Sequence, residues 1–140
     1  MNTVLIAAGG WHNDSPGGAF KLPSDFARYL AIRGRRVVYL CPSWLADRGD
    51  PELCDGVEVY RYSFPSAPSP SIVNLLVHLQ RSREIAARIA SQGIIDALLG
   101  HAPLQYLGAL SSCRAIRKCY AVHSPFRSRV GVQPFWNAWV

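Results

Sequence analysis

The chain has 140 residues, near the commonest size of a single domain, and 49% of them are hydrophobic while 17% are charged. These proportions exclude a disordered acidic or basic tail. The formal net charge is +6, and 13 of the 15 basic residues are arginine. Arginine grips phosphate and carboxylate well, so an anionic ligand or membrane surface is one interpretation and a solvated basic surface is the other. The arginines are dispersed without an aromatic–basic motif, so we expect no nucleic-acid partner.

The cysteines and the N-terminal sequence indicate the cellular compartment of the protein. Cys41, Cys54, Cys113 and Cys119 show neither CxxC nor metal-ligand spacing, so we expect reduced thiols and no metal site. Cys41 and Cys119 fall in predicted buried strands, where a free cysteine behaves as a small hydrophobe. The N-terminus lacks the features of a signal peptide, and no apolar run approaches the roughly 18–20 residues that span a bilayer. We expect a cytoplasmic protein, with peripheral contact at the inner face of the membrane left open.

The first forty residues predict a strand, a glycine-rich loop, a helix and a second strand. Residues 3–8 and 37–41 are apolar and β-prone, and the glycine-rich loop covers 9–18. The helix starts either at Ser24 or directly after Gly18, and the second start directs free N–H groups at the loop. Gly34 is expected to end this helix.

This βαβ unit is typical of an open parallel sheet, in which ligands bind at the carboxyl ends of the strands. The loop contains two glycine pairs, at 9–10 and 17–18. They either bring backbone close to a bound molecule or make a tight connection.

The rest of the chain repeats the alternation of strands and helices. Residues 47–56 indicate a loop, 57–62 a strand near the sheet edge, and 65–70 an irregular Ser/Pro connection. A helix is predicted over 71–90, with its apolar stripe at Ile72, Leu75, Leu76, Leu79, Ile85, Ala86 and Ile89. A short helix is predicted to end at Leu110. We predict a Rossmann-like three-layer α/β domain with a mainly parallel sheet, in which the adjacent strands are 3–8, 37–41, 94–99 and 118–122.

Two histidines follow predicted strands. His101 comes after the strand at 94–99, and His123 after the strand at 118–122. A parallel sheet places both on the same rim as the glycine loop. We therefore predict that Gly17, Gly18 and His123 converge on one concave rim, with His101 nearby in a structural or substrate-binding role.

Taken in order, five segments resemble the N-terminal half of a GT-B glycosyltransferase of family 4. The resemblance covers residues 1 to about 127. Its segments are Pro-Gly-Gly-Ala-Phe at 16–20, the helix turn at 26–37, the strand at 55–62, the stretch at 96–110 with His101, and Ala-Val-His-Ser-Pro-Phe at 121–126.

The resemblance implies a Rossmann-like domain over 1–127 that binds a sugar or glycolipid acceptor. Gly17 and Gly18 would approach the donor diphosphate or the acceptor, His101 would help to bind substrate, and His123 would act at the reaction centre. Transfer from a nucleotide-activated sugar proceeds with retention in the family, without a further cofactor. Backbone N–H groups and positive charge suit the departing diphosphate.

The chain also departs from the family pattern. Members of the family have a second domain that holds the nucleotide sugar and carries two spaced glutamates, whereas this chain has three glutamates in all. Residues 128–140 form an atypical aromatic tail with Phe135, Trp136 and Trp139. We expect a truncated frame, an excised domain or one subunit of a split enzyme, inactive in isolation.

The partner would be a C-terminal-domain chain or a second copy. A stand-alone sugar- or nucleotide-binding module is the alternative function. A dehydrogenase is disfavoured, since no GxGxxG follows the first strand and no acidic residue ends the second.

Overall fold

The computed structural model describes residues 2–14, 18–43, 51–63 and 72–121. Within these ranges strands and helices alternate along most of the chain. The elements are β1 (Thr3–Ala7), α1 (Gly18–Ile32), β2 (Arg36–Ser43), β3 (Glu52–Cys54), β4 (Val57–Ser63), α2 (Ile72–Gln92), β5 (Ala97–Gly100), α3 (Pro103–Ser112) and β6 (Arg117–Tyr120). The predicted tail at 128–140 lies outside the described residues.

The strands form one sheet in the order β3-β4-β2-β1-β5-β6. All neighbouring pairs are parallel except β3 with β4. Chain order therefore runs outward from β1 through β2 to β4 on one side, and then restarts beside β1 with β5 and β6. This confirms the predicted α/β fold with its mainly parallel sheet and the adjacency of the four predicted strands. The third of them begins at Ala97 rather than at residue 94.

Each face of the sheet has its own core. On one face α1 packs through Ala27, Leu30 and Ala31. On the other face α2 and α3 pack through Ala86, Ile89 and Ala109. Because successive residues of a strand point to opposite faces, a strand covered on both sides must be apolar throughout. Strand β1 meets this requirement, since all five of its residues are buried.

Helix α1 takes the earlier of its two predicted starts, at Gly18. Pro23 therefore lies inside the helix and is buried. The helix ends at the predicted glycine: Gly34 has a φ of +77°, its N–H donates to the Ala31 carbonyl, and the Arg35 N–H donates to the Leu30 carbonyl. This pair of hydrogen bonds is the Schellman arrangement, which needs a left-handed residue after the helix.

Part of the predicted loop at 47–56 is wrong, because it contains β3. Asp55 and Gly56 both have positive φ, at 51° and 81°, and they join β3 to β4 as a two-residue hairpin turn. Asp-Gly is among the strongest sequences for such a turn. The hairpin places β3 at the sheet edge, so β4 is the second strand from that edge, as its mixed polarity predicted.

Two predicted burials are also wrong. Cys119 is exposed, because β6 is an edge strand with little cover on either face. In α2 the fully buried positions are Ser82, Ala86 and Ile89, whereas Ile72 and Leu76 at its start are exposed. No helix in the described ranges is long and apolar enough to cross a membrane.

Helices α2 and α3 cross at Gly108. A Cβ at this position would lie 2.6 Å from the carbonyl oxygen of Leu79 and 2.8 Å from the Cβ of Ser82. Backbone cannot move away from such a contact without separating the two helices. The absence of a side chain at Gly108 therefore sets how closely they pack.

We expect Gly108→Ala to lower the free energy of unfolding by about 1–2 kcal/mol, although alanine favours a helix over glycine by about 1 kcal/mol. Gly34→Ala is the matched control, because a Cβ there meets nothing within 4 Å and its cost is the positive φ alone. Asparagine tolerates positive φ, so Gly34→Asn should recover stability relative to Gly34→Ala, whereas Gly108→Asn should lose more. Urea unfolding measures all four. A Gly108→Ala variant with a higher free energy of unfolding than the wild type would contradict the close packing of α2 and α3 at Gly108.

Candidate functional site

The carboxyl edge of the sheet brings together the two loops that leave β1 and β5. Chain order reverses between these neighbours. In open α/β sheets, ligands bind in the crevice at such a reversal, outside the carboxyl ends of the strands. The His101 N–H donates to the Ala7 carbonyl at 2.8 Å, so His101 stands directly beside the end of β1. A Cβ on Gly9 would lie 3.7 Å from that of Ala102. The glycine loop and the segment after β5 are thus in contact.

The first glycine pair accommodates the Phe20 ring of α1. A Cβ on Gly9 would lie 3.1 Å from this ring, and a Cβ on Gly10 would lie 3.0 Å from it. Both distances are shorter than ordinary van der Waals contact. Gly9 and Gly10 thus allow close packing of the loop against α1, and which of the two roles left open by the sequence applies to them stays a prediction.

An ion-pair network holds the far end of the same loop. The guanidinium of Arg61, on β4, donates to both carboxylate oxygens of Asp14, at 2.5 and 3.2 Å, and to Glu52 of β3 at 2.8 Å. The Arg61 side chain is only 6% exposed and that of Asp14 only 14%. The adjacent carboxylate of Asp14 raises the pKa of Arg61 against the opposing effect of burial, which alone would lower it. The loop is therefore fixed by a buried, charge-assisted contact.

Trp11 anchors the middle of the loop. Its side chain is fully buried and meets the Tyr39 ring edge to face, with 4.9 Å between centroids. The guanidinium carbon of Arg28 lies 4.8 Å from the centre of the indole. The Tyr39 hydroxyl donates to the Gly10 carbonyl at 2.8 Å. Aromatic packing thus holds the loop between β2 and α1.

His12 is the polar residue between these two anchors. Its backbone N–H donates to the hydroxyl of Ser24 at 3.1 Å, and its side chain is partly exposed. Neither Nδ1 of His12 nor Nε1 of Trp11 has a hydrogen-bond partner among the described residues. Buried polar atoms normally have partners, so unpartnered ones on consecutive residues mark the loop as a place where a polar group could bind.

A second polar cluster lies at the same edge on the opposite face of the sheet. The Tyr62 hydroxyl lies 2.7 Å from Nδ1 of His78 in α2, and Nε2 of Gln105 in α3 donates to that hydroxyl at 2.8 Å. Because the amide supplies one proton to the hydroxyl oxygen, the hydroxyl proton can go to Nδ1 of a neutral His78. Burial lowers the pKa of His78, which favours the neutral form, and burial also raises the pKa of Tyr62.

Only part of the predicted site falls within the described residues. Gly18 is the first residue of α1, and His101 follows β5 as predicted. Gly17 and His123 lie outside the described residues, so their roles stay predictions. Asp14 and Glu52 are both engaged by Arg61, which makes them supports of the loop rather than a general acid and base. No cluster of metal-ligand type occurs in the described part of the chain.

Two signals for the missed residues are present in the sequence. Arg61 continues the buried positions 57 and 59 of one strand face, and a buried arginine requires a carboxylate. His78 lies four residues before Ser82, on the face that α2 buries through Ala86 and Ile89. Neither signal names the partner, because Asp14 and Gln105 come from distant parts of the chain.

Comparisons with known proteins assign no family. No protein-family model matches the chain, and no curated protein matches it significantly. Among solved structures, the chain is similar to Rae1 (YacP) from Bacillus subtilis, with 17% identity and a TM-score of 0.39 over 85% of this chain and 70% of that one. A likeness this low carries no argument about function, which leaves the geometry of the site.

We expect substitutions in the Arg61 network to lower the free energy of unfolding by different amounts. Arg61→Met leaves the carboxylate of Asp14 buried without its partner and should cost about 3–5 kcal/mol of unfolding free energy. Asp14→Asn should cost less, because Glu52 still pairs with Arg61, and Glu52→Gln should cost least, since that side chain is 45% exposed. Lys21→Met, which removes the exposed pair with Asp25, is the control and should cost about 0–1 kcal/mol. Urea unfolding at neutral pH gives the order, and equal costs for Arg61→Met and Lys21→Met would contradict it.

His78 should make stability depend on pH. Its pKa in the folded protein is below the ordinary value of 6.5, so the unfolded chain takes up the proton more readily. The stability from neutral His78 is fully present above about pH 6.5 and declines as the pH falls toward the folded pKa.

We therefore expect the difference in unfolding free energy between the wild type and His78→Gln to shrink as the pH is lowered from about 7.5 to 5. Taking the difference removes the contribution of the carboxylates that both proteins share. Parallel curves for the two proteins would show that His78 does not titrate differently on folding.

Proposed function

We propose that this chain is the acceptor-side half of a retaining glycosyltransferase that uses a nucleotide-activated sugar, active only with a donor-binding half. The observation that carries the proposal is the reversal of chain order between β1 and β5, where Gly9 lies against Ala102 and the His101 N–H donates to the Ala7 carbonyl. In the family that the sequence resembles, the donor belongs to a second domain. The crevice at this edge is therefore available for the acceptor.

The polar atoms of the loop suit a ligand rich in hydroxyl groups. A sugar hydroxyl both donates and accepts, so it could satisfy Nδ1 of His12, a partly exposed residue whose Nδ1 lacks a partner among the described residues. The loop is held on both sides of His12 by Trp11 and Asp14, so little conformational entropy is lost when a ligand binds.

Inactivity in isolation follows from the proposal, because one half of a cleft cannot orient the donor against the acceptor. Asp14 and Glu52 are engaged by Arg61 and serve as supports of the loop. The partner would be a donor-binding chain or domain. The four cysteines are free, which suits a reducing compartment, and we place the protein in the cytoplasm.

We expect the isolated chain to bind simple sugars weakly at the crevice. In ¹⁵N-labelled protein titrated separately with glucose, mannose and N-acetylglucosamine, amide signals of residues 9–14 and of His101 and Ala102 should shift for at least one sugar. Signals of Arg35 and Gly93, at the opposite edge of the sheet, should stay in place. UDP and GDP should cause no shift at the crevice, because the donor site in the family belongs to the second domain.

Two controls separate the outcomes. Gly9→Val, whose side chain would collide with Phe20 and Ala102, should abolish the sugar-induced shifts, whereas Gly34→Asn, which is remote from the crevice, should leave them unchanged. Shifts with UDP or GDP at the crevice would favour a stand-alone nucleotide-binding module. Transfer of labelled sugar by the chain alone, or no shift with any sugar, would contradict the proposal.

A further inference from the structure

The amino-terminal edge of the sheet carries exposed isoleucines from three separate connections. Ile32 lies at the end of α1, Ile94 follows α2, and Ile116 follows α3; they are 83%, 73% and 70% exposed. In a parallel sheet with alternating helices, every helix ends at the edge where the next strand begins. The Ile116 N–H donates to the Ile95 carbonyl at 3.2 Å, which sets two of the three connections side by side.

The same edge carries an excess of positive charge. Arg33 and Arg35 adjoin Ile32, while Arg114, Arg117 and Lys118 surround Ile116, and all five are exposed. None of the five forms an ion pair within the described ranges. These cations and the three isoleucines together are called the basic edge.

The carboxylates at this end of the molecule are already engaged. Asp96 accepts the Thr3 N–H at 2.6 Å, Glu58 pairs with Arg36 at 2.9 Å, and Asp55 pairs with Arg28 at 2.8 Å. Arg36 and Arg28 neutralise Glu58 and Asp55, while Asp96, whose partner is a neutral N–H, offsets one of the five cations. The basic edge therefore presents a net positive field to its surroundings.

We propose that the basic edge docks on a membrane surface that contains anionic phospholipid. Arginine and lysine pair with lipid phosphates, and isoleucines set among them can enter the boundary between headgroups and acyl chains. A nucleic acid offers the phosphates but no apolar phase for three isoleucines, so the isoleucines favour the bilayer. This proposal does not rest on the proposed glycosyltransferase function.

Docking in this way fixes the orientation of the molecule. The basic edge and the crevice beside β1 lie at opposite ends of the strands, so the crevice faces away from the bilayer. An acceptor that binds there would then be reached from water rather than from within the lipid phase.

Cosedimentation of the full chain with unilamellar vesicles tests the proposal. Vesicles of phosphatidylcholine with about 30 mol% phosphatidylglycerol should bind the protein, and pure phosphatidylcholine should bind little. Binding should weaken as salt is raised from about 0.05 to 0.5 M, because screening acts on exposed charges. Arg117→Gln and Ile116→Ser should each lower the partition coefficient roughly fivefold.

Matched controls come from exposed positions away from the basic edge. Ile72→Ser, at the start of α2, and Arg83→Gln, in its middle, should leave vesicle binding unchanged. All four variants replace exposed side chains, so each should fold. The urea unfolding midpoint of each variant checks this. Equal losses in all four variants, or no preference for the anionic vesicles, would overturn the proposal. Tight binding of an RNA or DNA duplex without vesicle binding would also overturn it and would identify a nucleic-acid surface.

Discussion

The buried guanidinium of Arg61 is the constraint on which the carboxyl edge depends. An unpaired charge in this position would be strongly destabilising, so Asp14 and Glu52 must both close on it when the chain folds. Asp14 comes from the loop after β1, and Glu52 comes from the edge hairpin. One side chain of β4 thus fixes the shape of the loop that lines the crevice and joins it to the outermost strand of the sheet.

The residue after Arg61 explains why both faces of this edge are polar. Tyr62 points to the opposite face, where its hydroxyl meets His78 and Gln105 and so connects β4 to α2 and α3. The two clusters flank the end of β4 as rigid supports. Because these supporting side chains already have hydrogen-bond and ion-pair partners, they keep the loop in one conformation. A fixed loop loses little conformational entropy when a ligand binds.

The sequence predicted what local pattern controls and missed what distant contacts control. Strands β1, β2 and β5 were predicted because parallel strands covered on both faces must be apolar throughout, and the place of His101 followed from the parallel sheet. Strand β6 was predicted in the right place, but it is an exposed edge strand rather than a covered one. Strand β3 was missed although Asp55-Gly56 is a strong hairpin signal, because the residues before it indicated a loop. The apolar start of α2 was wrongly predicted as buried, since the crossing with α3 at Gly108 sets the buried face. Of the two carboxylate partners of Arg61, Asp14 lies 47 residues away, beyond any local pattern.

Amide hydrogen exchange of the loop tests the central claim that Arg61 holds it in place. In the wild type, the N–H groups of His12 and Asp14, which donate to Ser24 and to the Trp11 carbonyl, should be protected. In Arg61→Met, both should exchange at least tenfold faster (about 1.4 kcal/mol of local stability) relative to the amides of β1, which report the global stability. If the loop amides keep the same protection relative to β1 in both proteins, Arg61 does not hold the loop and the account is contradicted.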